Sequence, residues 1–451
     1  MKSYNQYKSS GDSFVKSIPS HWRIDKLKRH CYLKGRIGWQ GLKHSEFSED
    51  KNLPYLITGM NFKNGIIQWD EVYHISEERY NEAPEIQLKI GDILMTKDGT
   101  IGKLLFVDTL PGKASLNSHL LVLRPLNNAY FPRFLYYQLL SEHFNNHIEL
   151  YKSGTTFYGL SQEDTGKFKV LLPPLEEQFR ISQYLDFKTK QLDKLIYEKE
   201  KLIELLKEER IATIHSAMTK GLNPHAPLVD SGIEWSGKIP DSWQIWKLSH
   251  AFKKIGSGTT PESGNPLYHE NGTVNWLNTG DLNDGILTET SKKVTERALK
   301  DYAALKIFPA RTVVIAMYGA TIGKVSVVNC EITTNQACCV FYDSDVIINE
   351  FLFYWFIINK PQIINLSKGG GQPNISSEAL KSLKVPCPNK DEQQQIIDFI
   401  KVEEERILNI ANKVRNEIDY LKEYKTALIS EVVTGKVDIR DEAITELLAT
   451  A

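Results

Sequence analysis

The side chains best suited to chemistry are basic, amide and hydroxyl groups gathered on glycine-rich loops. Three such loop sets occur, and each occurs twice. Lys34-Gly35-Arg36-Ile37-Gly38-Trp39-Gln40 is matched by Lys253-Lys254-Ile255-Gly256-Ser257-Gly258-Thr259-Thr260. A Gly-Lys turn with Lys97, Thr100 and Lys103 is matched by Tyr318, Thr321 and Lys324. Lys152-Ser153-Gly154-Thr155-Thr156-Phe157-Tyr158 is matched by Lys368-Gly369-Gly370-Gly371-Gln372-Pro373-Asn374. Ammonium and guanidinium groups suit phosphates, amides and hydroxyls suit base edges, and glycine lets the backbone come close to a ligand. The expected ligand-contact set is therefore Lys34, Arg36, Trp39, Gln40, Lys97, Thr100, Lys103, Lys152, Ser153, Thr155, Thr156 and Tyr158 in the first half. In the second half it is Lys253, Lys254, Ser257, Thr259, Thr260, Tyr318, Thr321, Lys324, Lys368, Gln372 and Asn374. The Gly-Lys turn is common to both halves, so it suits building the fold at least as well as contacting a ligand. Asn117 and Asn335 read as turn or capping residues.

Catalytic constellations are not found. An adenine methyltransferase needs a polar residue before Pro-Pro and an aromatic after it, whereas the Pro-Pro here is Leu172-Pro173-Pro174-Leu175. A phosphate-binding loop at Gly99–Lys103 fails because Lys97 stands where glycine is required and Leu104 where Ser or Thr must meet a metal. A nuclease reading needs Pro-Asp and Glu-x-Lys on adjacent strands, but Glu423-Tyr424-Lys425 lies in a helical stretch. The 11 histidines have no zinc-ligand spacing. No metal site is expected.

The elements that position these loops are also duplicated. Ile18-Pro19-Ser20-His21-Trp22 returns as Ile239-Pro240-Asp241-Ser242-Trp243, and Leu56-Ile57-Thr58-Gly59 as Leu277-Asn278-Thr279-Gly280. Short apolar runs such as Gly91–Met95 and Thr312–Ala316, bounded by Gly, Pro and Asp, predict strands in mixed α/β heads. Each half closes on a proline-rich turn, Pro173-Pro174-Leu175-Glu176-Glu177-Gln178 or Pro388-Asn389-Lys390-Asp391-Glu392-Gln393, followed by a long stretch free of Pro and Gly. A helix over such a stretch is about 65 Å long. Heptad series predict a coiled coil with core residues Ile181, Leu185, Leu192, Leu195, Leu202 and Leu206 against Ile396, Ile400, Ile407, Ile410, Val414, Leu421 and Leu428. Leu205, Ile211, Ile418 and Ile429 lie off that seam and are expected to face partners.

The expected fold is α+β, with two similar mixed α/β domains separated by an antiparallel two-helix coiled coil with pseudo-twofold symmetry. The segments are 1–172, 173–222, 223–388 and 389–451. The short link after Lys220 cannot carry the second head back along a rod of that length, so a dumbbell is expected. Net charge is −1, but residues 1–172 hold 22 basic against 18 acidic side chains, and residues 389–451 hold 9 against 14. That balance permits DNA binding through local patches without demanding it. Five scattered cysteines, no signal-like N-terminus and no long apolar run suggest a cytoplasmic chain that avoids membranes.

Taken in order, these duplicated motifs resemble the specificity subunit of type I restriction-modification enzymes. The resemblance covers essentially the whole chain. It rests on Ile-Pro-x-x-Trp, on the turn Pro-Pro-Leu-Glu-Glu-Gln, and on the helix ends Ala212–Gly221 and Ala427–Lys436. It implies two target recognition domains, each reading one half of a bipartite, asymmetric site on double-stranded DNA, with the gap set by the helices. It also implies no catalysis by this chain, which would dock two methyltransferase subunits and restriction/translocase subunits. S-adenosylmethionine, ATP and Mg would belong to those partners only. The competing expectation is a coiled-coil protein adaptor without DNA readout.

Overall fold

The computed structural model describes residues 2–36, 41–63, 66–126, 128–154, 158–367 and 373–442. The chain forms two compact units, Met1–Glu200 with Arg415–Ala451, and Lys201–Val414. The main strands of the first unit are β1 (Arg23–Lys26), β2 (Cys31–Gly35), β3 (Tyr55–Ile57), β4 (Tyr73–His74), β5 (Ile93–Thr96), β6 (Leu104–Phe106), β7 (Ala114–Leu116), β8 (Leu120–Pro125) and β9 (Lys169–Leu172). Helices α1 (Pro132–Leu140) and α2 (Glu142–Tyr151) follow β8, and α3 (Leu175–Lys220) follows β9.

An antiparallel sheet in the order β6-β5-β8-β2 forms the centre, beside a smaller sheet, β7-β3-β4, in which β3 and β7 run parallel. Strand β5 is buried along its whole length because both faces of its sheet are covered. Ile93 and Met95 pack with Leu135 and Phe144 of the helices. Leu94 packs with Ile57 and Leu116 of the smaller sheet. Burial on two faces explains why the strand reads as a continuous apolar run instead of an alternating one.

The second unit repeats this plan with β10 (Gln244–Lys247), β11 (Lys254–Gly256), β12 (Val274–Leu277), β13 (Ile286–Leu287), β14 (Lys293–Val294), β15 (Thr312–Ala316), β16 (Val325–Val328), β17 (Thr333–Thr334), β18 (Cys338–Tyr342) and β19 (Lys384–Cys387). Helix α4 (Asn349–Ile358) follows β18, and α5 (Lys390–Val433) follows β19. The central order is β11-β18-β15-β16-β13, beside β14-β12-β17, with β12 and β17 parallel. Val313 and Ile315 face Phe351 and Phe356, while Val314 and Ala316 face Leu277 and Ile332. The fold is α+β with two like heads.

The repeated motifs now have a structural cause. Trp22 Nε1 donates to Glu177 Oε1 at 3.1 Å, and Trp243 Nε1 donates to Glu392 Oε1 at 3.1 Å. The next residue, a buried glutamine, holds the start of the inner helix. Gln178 accepts from the Phe131 amide at 2.8 Å and donates to the Pro173 carbonyl at 2.9 Å. Gln393 accepts from the Ile348 amide at 2.8 Å and donates to the Pro388 carbonyl at 2.8 Å. Each Glu-Gln pair therefore ties a tryptophan, a proline turn and a helix N-terminus to the first turn of a long helix, and it satisfies polar groups that burial would otherwise strand.

Within each unit the long helices run antiparallel. In the first, Lys425 meets Asp193 at 2.6 Å and Lys199 meets Glu417 at 2.5 Å. In the second, Arg406 meets Glu209 at 2.6 Å and Arg210 meets Glu404. Among the expected core residues Ile181, Leu185, Leu206, Ile396, Ile400, Ile407, Val414 and Leu428 are buried, and Leu192, Ile410 and Leu421 are half-buried. Leu195 and Leu202 are each 39% exposed and must be removed from the seam. The companions of Leu185, Leu192 and Leu206 are instead Thr189, Ile196 and Ala217, one position further on in each heptad. On α5 the companions are Ala411, Ile418 and Val432, so Ile418 is core; Ile429 is buried as well. Leu205 and Ile211 are exposed as expected. Among the described residues no helix is long and apolar enough to cross a membrane.

Candidate nucleic-acid interface

In the first head the Gly-Lys turn is a hydrogen-bonded cap on β5 and β6. Thr96 Oγ1 donates to the Thr100 carbonyl and accepts from the Lys103 amide at 3.0 Å. Gly102 sits at φ +82°, and a Cβ there would lie 2.6 Å from Ile148 Cδ1. Gly323 has φ +76°, with Ile364 Cγ1 3.0 Å from the same position. The glycine is therefore required by backbone conformation and by close packing, and the turn's first role is structural.

This turn is stitched to two other loops. The Lys97 amide donates to the His119 carbonyl at 3.0 Å, and the Leu160 amide donates to the Lys97 carbonyl at 2.9 Å. Asp98 forms a β-bridge with Gly159, and Ser153 forms one with Gly159. The three expected loop sets converge on a groove of about 480 Å³ lined by Gly35, Arg36, Lys97, Asp98, Ser153, Gly159, Ser161 and Gln162. In the second head the Met317 amide donates to the Ala337 carbonyl at 2.8 Å, the Ile375 amide donates to the Met317 carbonyl at 2.9 Å, and Tyr318 bridges Asn374. The ladder is the same, with Met317 in the place of Lys97 and Tyr318 in the place of Asp98. This corrects the sequence pairing of Lys97 with Tyr318, because the second turn carries one extra residue before Thr321.

The expected contact residues divide by what already holds them. Lys34, Lys97, Lys103 and Lys324 have no carboxylate partner among the described residues. Thr100 and Lys103 are exposed on the turn, and Lys34 is half-buried opposite Val122. Ser153 is exposed at the groove, and Tyr158 is exposed beneath the Lys152 ammonium, 5.2 Å from its ring centre. Lys152 also meets Glu149 at 2.6 Å.

Arg36 needs correcting. It is 3% exposed and donates Nε to the Leu116 carbonyl at 2.9 Å and Nη2 to Ser115 Oγ at 3.1 Å. Burial, with Arg79 nearby, pulls its pKa down to about 10. It ties β2 to β7 instead of offering a cation to phosphate.

Lys253 and Lys254 also need correcting. They meet Asp345 at 2.5 Å and Asp343 at 3.8 Å, at the end of β11 opposite the other loops. About 13 Å of extended chain separates Lys254 from Gly258.

At the loop end, the Gly258 amide donates to Thr334 Oγ1 at 2.9 Å, and a Cβ on Gly258 would fall 1.8 Å from the Thr334 carbonyl oxygen. The Thr259 carbonyl accepts from Trp276 Nε1 at 3.3 Å, and Thr260 donates to Gln336 at 2.8 Å. Ser257, Tyr318 and Asn374 are exposed, and Thr321 donates to the Tyr318 carbonyl at 3.3 Å. Trp39, Gln40, Thr155, Thr156, Lys368 and Gln372 lie outside the described residues. Asn117 accepts from the Ser118 amide at 2.7 Å and Asn335 from the Ala337 amide at 3.1 Å, the expected turn role.

Sequence reasoning missed Asp98, His119, Ser161 and Gln162. Asp98 lay inside a recognised repeat. His119 joins it only through pairing across 21 residues, with Nδ1 to Oδ2 at 3.0 Å.

Comparison with known proteins fits this architecture. The family described as type I restriction modification DNA specificity domain matches residues 40–207 and 240–420. A putative type I restriction enzyme MjaX specificity subunit from Methanocaldococcus jannaschii is 25% identical over 436 residues, covering 94% of this chain and 96% of that protein. The MjaVIII specificity subunit of the same organism is 28% identical, over 79% and 81% of the two chains. A chain solved in work on complex assembly and conformational transition of the type I R-M system aligns with TM-score 0.69 at 16% identity, covering 93% and 99%. The HsdS subunit of Thermoanaerobacter tengcongensis aligns with TM-score 0.56 at 16% identity, covering 93% and 98%. With both halves matched by one family and both heads built on one plan, the chain belongs to the type I restriction-modification DNA specificity family.

Proposed function

We propose that this chain is the non-catalytic, sequence-reading subunit of a type I restriction-modification complex. Each head reads one half of a bipartite, asymmetric site in double-stranded DNA. The chain docks two methyltransferase subunits and, through the complex, restriction/translocase subunits. S-adenosylmethionine, ATP and Mg act on those partners. The observation that carries this reading is the shared ladder of three loops, which has the same hydrogen bonds in both heads but different outward side chains. A constant scaffold with variable tips suits two sites that are alike in shape and unlike in sequence. Lys97, which lines the first groove and has no carboxylate partner among the described residues, suits phosphate contact.

The test is duplex binding together with methylation mapping, using the full chain with its partner methyltransferase. The expected result is affinity that falls steeply with salt and methylated adenines at one bipartite sequence. Salt-insensitive binding with no defined methylation site would favour the protein adaptor. Methyl transfer by this chain alone would overturn the non-catalytic assignment.

A further inference from the structure

The two ladders differ at a position that is exposed in both heads. In the first head it holds Asp98, whose carboxylate is 44% exposed at the groove and 3.0 Å from His119 Nδ1. In the second it holds Tyr318, with Ala337 in the place of His119 and Asn374 in the place of Gly159. The backbone just before Asp98 is held by the bonds of Lys97 to His119 and Leu160, and Asp98 itself bridges Gly159, so the carboxylate projects from a pinned point of the loop. An exposed carboxylate is an odd choice beside a polyanion, because phosphates repel it. It suits a DNA-facing groove when it accepts a hydrogen bond from a base, and in the major groove the exocyclic amine of cytosine or adenine supplies that donor.

Resting on the DNA-reading function proposed above, we infer that Asp98 is a specificity-determining residue of the first head, accepting a hydrogen bond from a base amine. His119 orients its carboxylate. Tyr318 occupies the same point of the second head, where an aromatic face and the neighbouring Asn374 amide select by different chemistry. This ladder position is one point at which the two heads read their half-sites differently.

The test uses the whole complex with its methyltransferase, reading the sequence preference of methylated sites for the native chain, Asp98→Ala, Asp98→Asn and Tyr318→Ala. Asp98→Ala should lower discrimination at one base pair of one half-site by roughly tenfold and leave the other half-site intact. Asp98→Asn, which keeps the size and adds an amide donor, should shift the preference at that same pair. Tyr318→Ala should change only the other half-site. Unchanged preferences in both Asp98 variants, changes in both half-sites, or loss of all methylation in both variants would overturn the assignment. A native complex with no defined site would instead overturn the DNA-reading function itself.

Discussion

The two heads agree in the side chains that tie each long helix to its head and differ along the loop ladder. Trp22 and Trp243 make the same 3.1 Å bond to Glu177 and Glu392, and Gln178 and Gln393 hold the same helix starts. Both turns need a left-handed glycine against an isoleucine, Gly102 on Ile148 and Gly323 on Ile364. At the ladder, by contrast, the places of Lys97 and Asp98 in the first head are taken by Met317 and Tyr318 in the second. The cations differ too. Among the described residues Lys34, Lys97 and Lys103 of the first head and Lys324 of the second have no carboxylate partner, while Lys253 and Lys254 of the second meet Asp345 and Asp343. The difference teaches that duplication preserved the internal hydrogen-bond frame, because each lost bond leaves a buried polar group unsatisfied. Tips that meet only solvent or a ligand were free to diverge.

The largest effect should come from the shared frame. Trp22→Ala and Trp243→Ala should each destabilise by about 3–5 kcal/mol, the usual range for an emptied aromatic site. Chemical unfolding of the two variants measures it. Clearly unequal costs would break the equivalence of the heads. A smaller effect separates their electrostatics. Lys97→Ala should weaken DNA binding evenly across sequences and reduce the salt slope by about one. Lys253→Ala, which removes a side chain already paired at the far end of β11, should leave the slope in place. Equal slopes for the two variants would erase the contrast between the groove and that end.

The smallest effect concerns acid. His147 is buried and donates Nε2 to the Asp164 carbonyl at 2.8 Å; burial lowers its pKa, that bond opposes the shift, and His143 adds to it. The folded ring stays neutral, so the unfolded chain binds the proton more readily and stability is lost as pH falls below about 6.5. The residue at the equivalent place in the second head is Ile363, also buried. Urea unfolding of the native chain and His147→Gln at pH 7 and pH 5.5 should show acid loss of about 1 kcal/mol or less, confined to the native chain. An unchanged loss in the variant would assign the effect to a group other than His147.

Much of this was legible in advance. Apolar runs bounded by turn residues located β5 and β15, and the absence of Pro and Gly located both long helices. The heptad leucines gave one half of the seam, Leu185 and Leu206 with Ile400, Ile407 and Val414. In the other series Ile181 and Ile396 are buried, but Leu195 and Leu202 give way to neighbours one residue on. The pattern of leucines favoured Leu195 and Leu202, whereas the packed positions include the polar Thr189 and the small Ala411 and Ala217. Hydrophobicity alone cannot choose between spacings of three and four when a seam tolerates polar and small residues. Arg36 was misread for a related reason. A basic residue on a glycine-rich loop looks like a phosphate ligand until carbonyl and hydroxyl partners some 80 residues away are found to occupy it.

By itself, the sequence determined the duplication, the element types and the two long helices, because these rest on local periodicity and backbone propensity. Tertiary structure alone decided which loops meet, which cations are already paired, and that Asp98 and Tyr318 share one place in two heads. Those outcomes depend on pairing between distant segments, and a polar side chain's role is set by the partners it finds there.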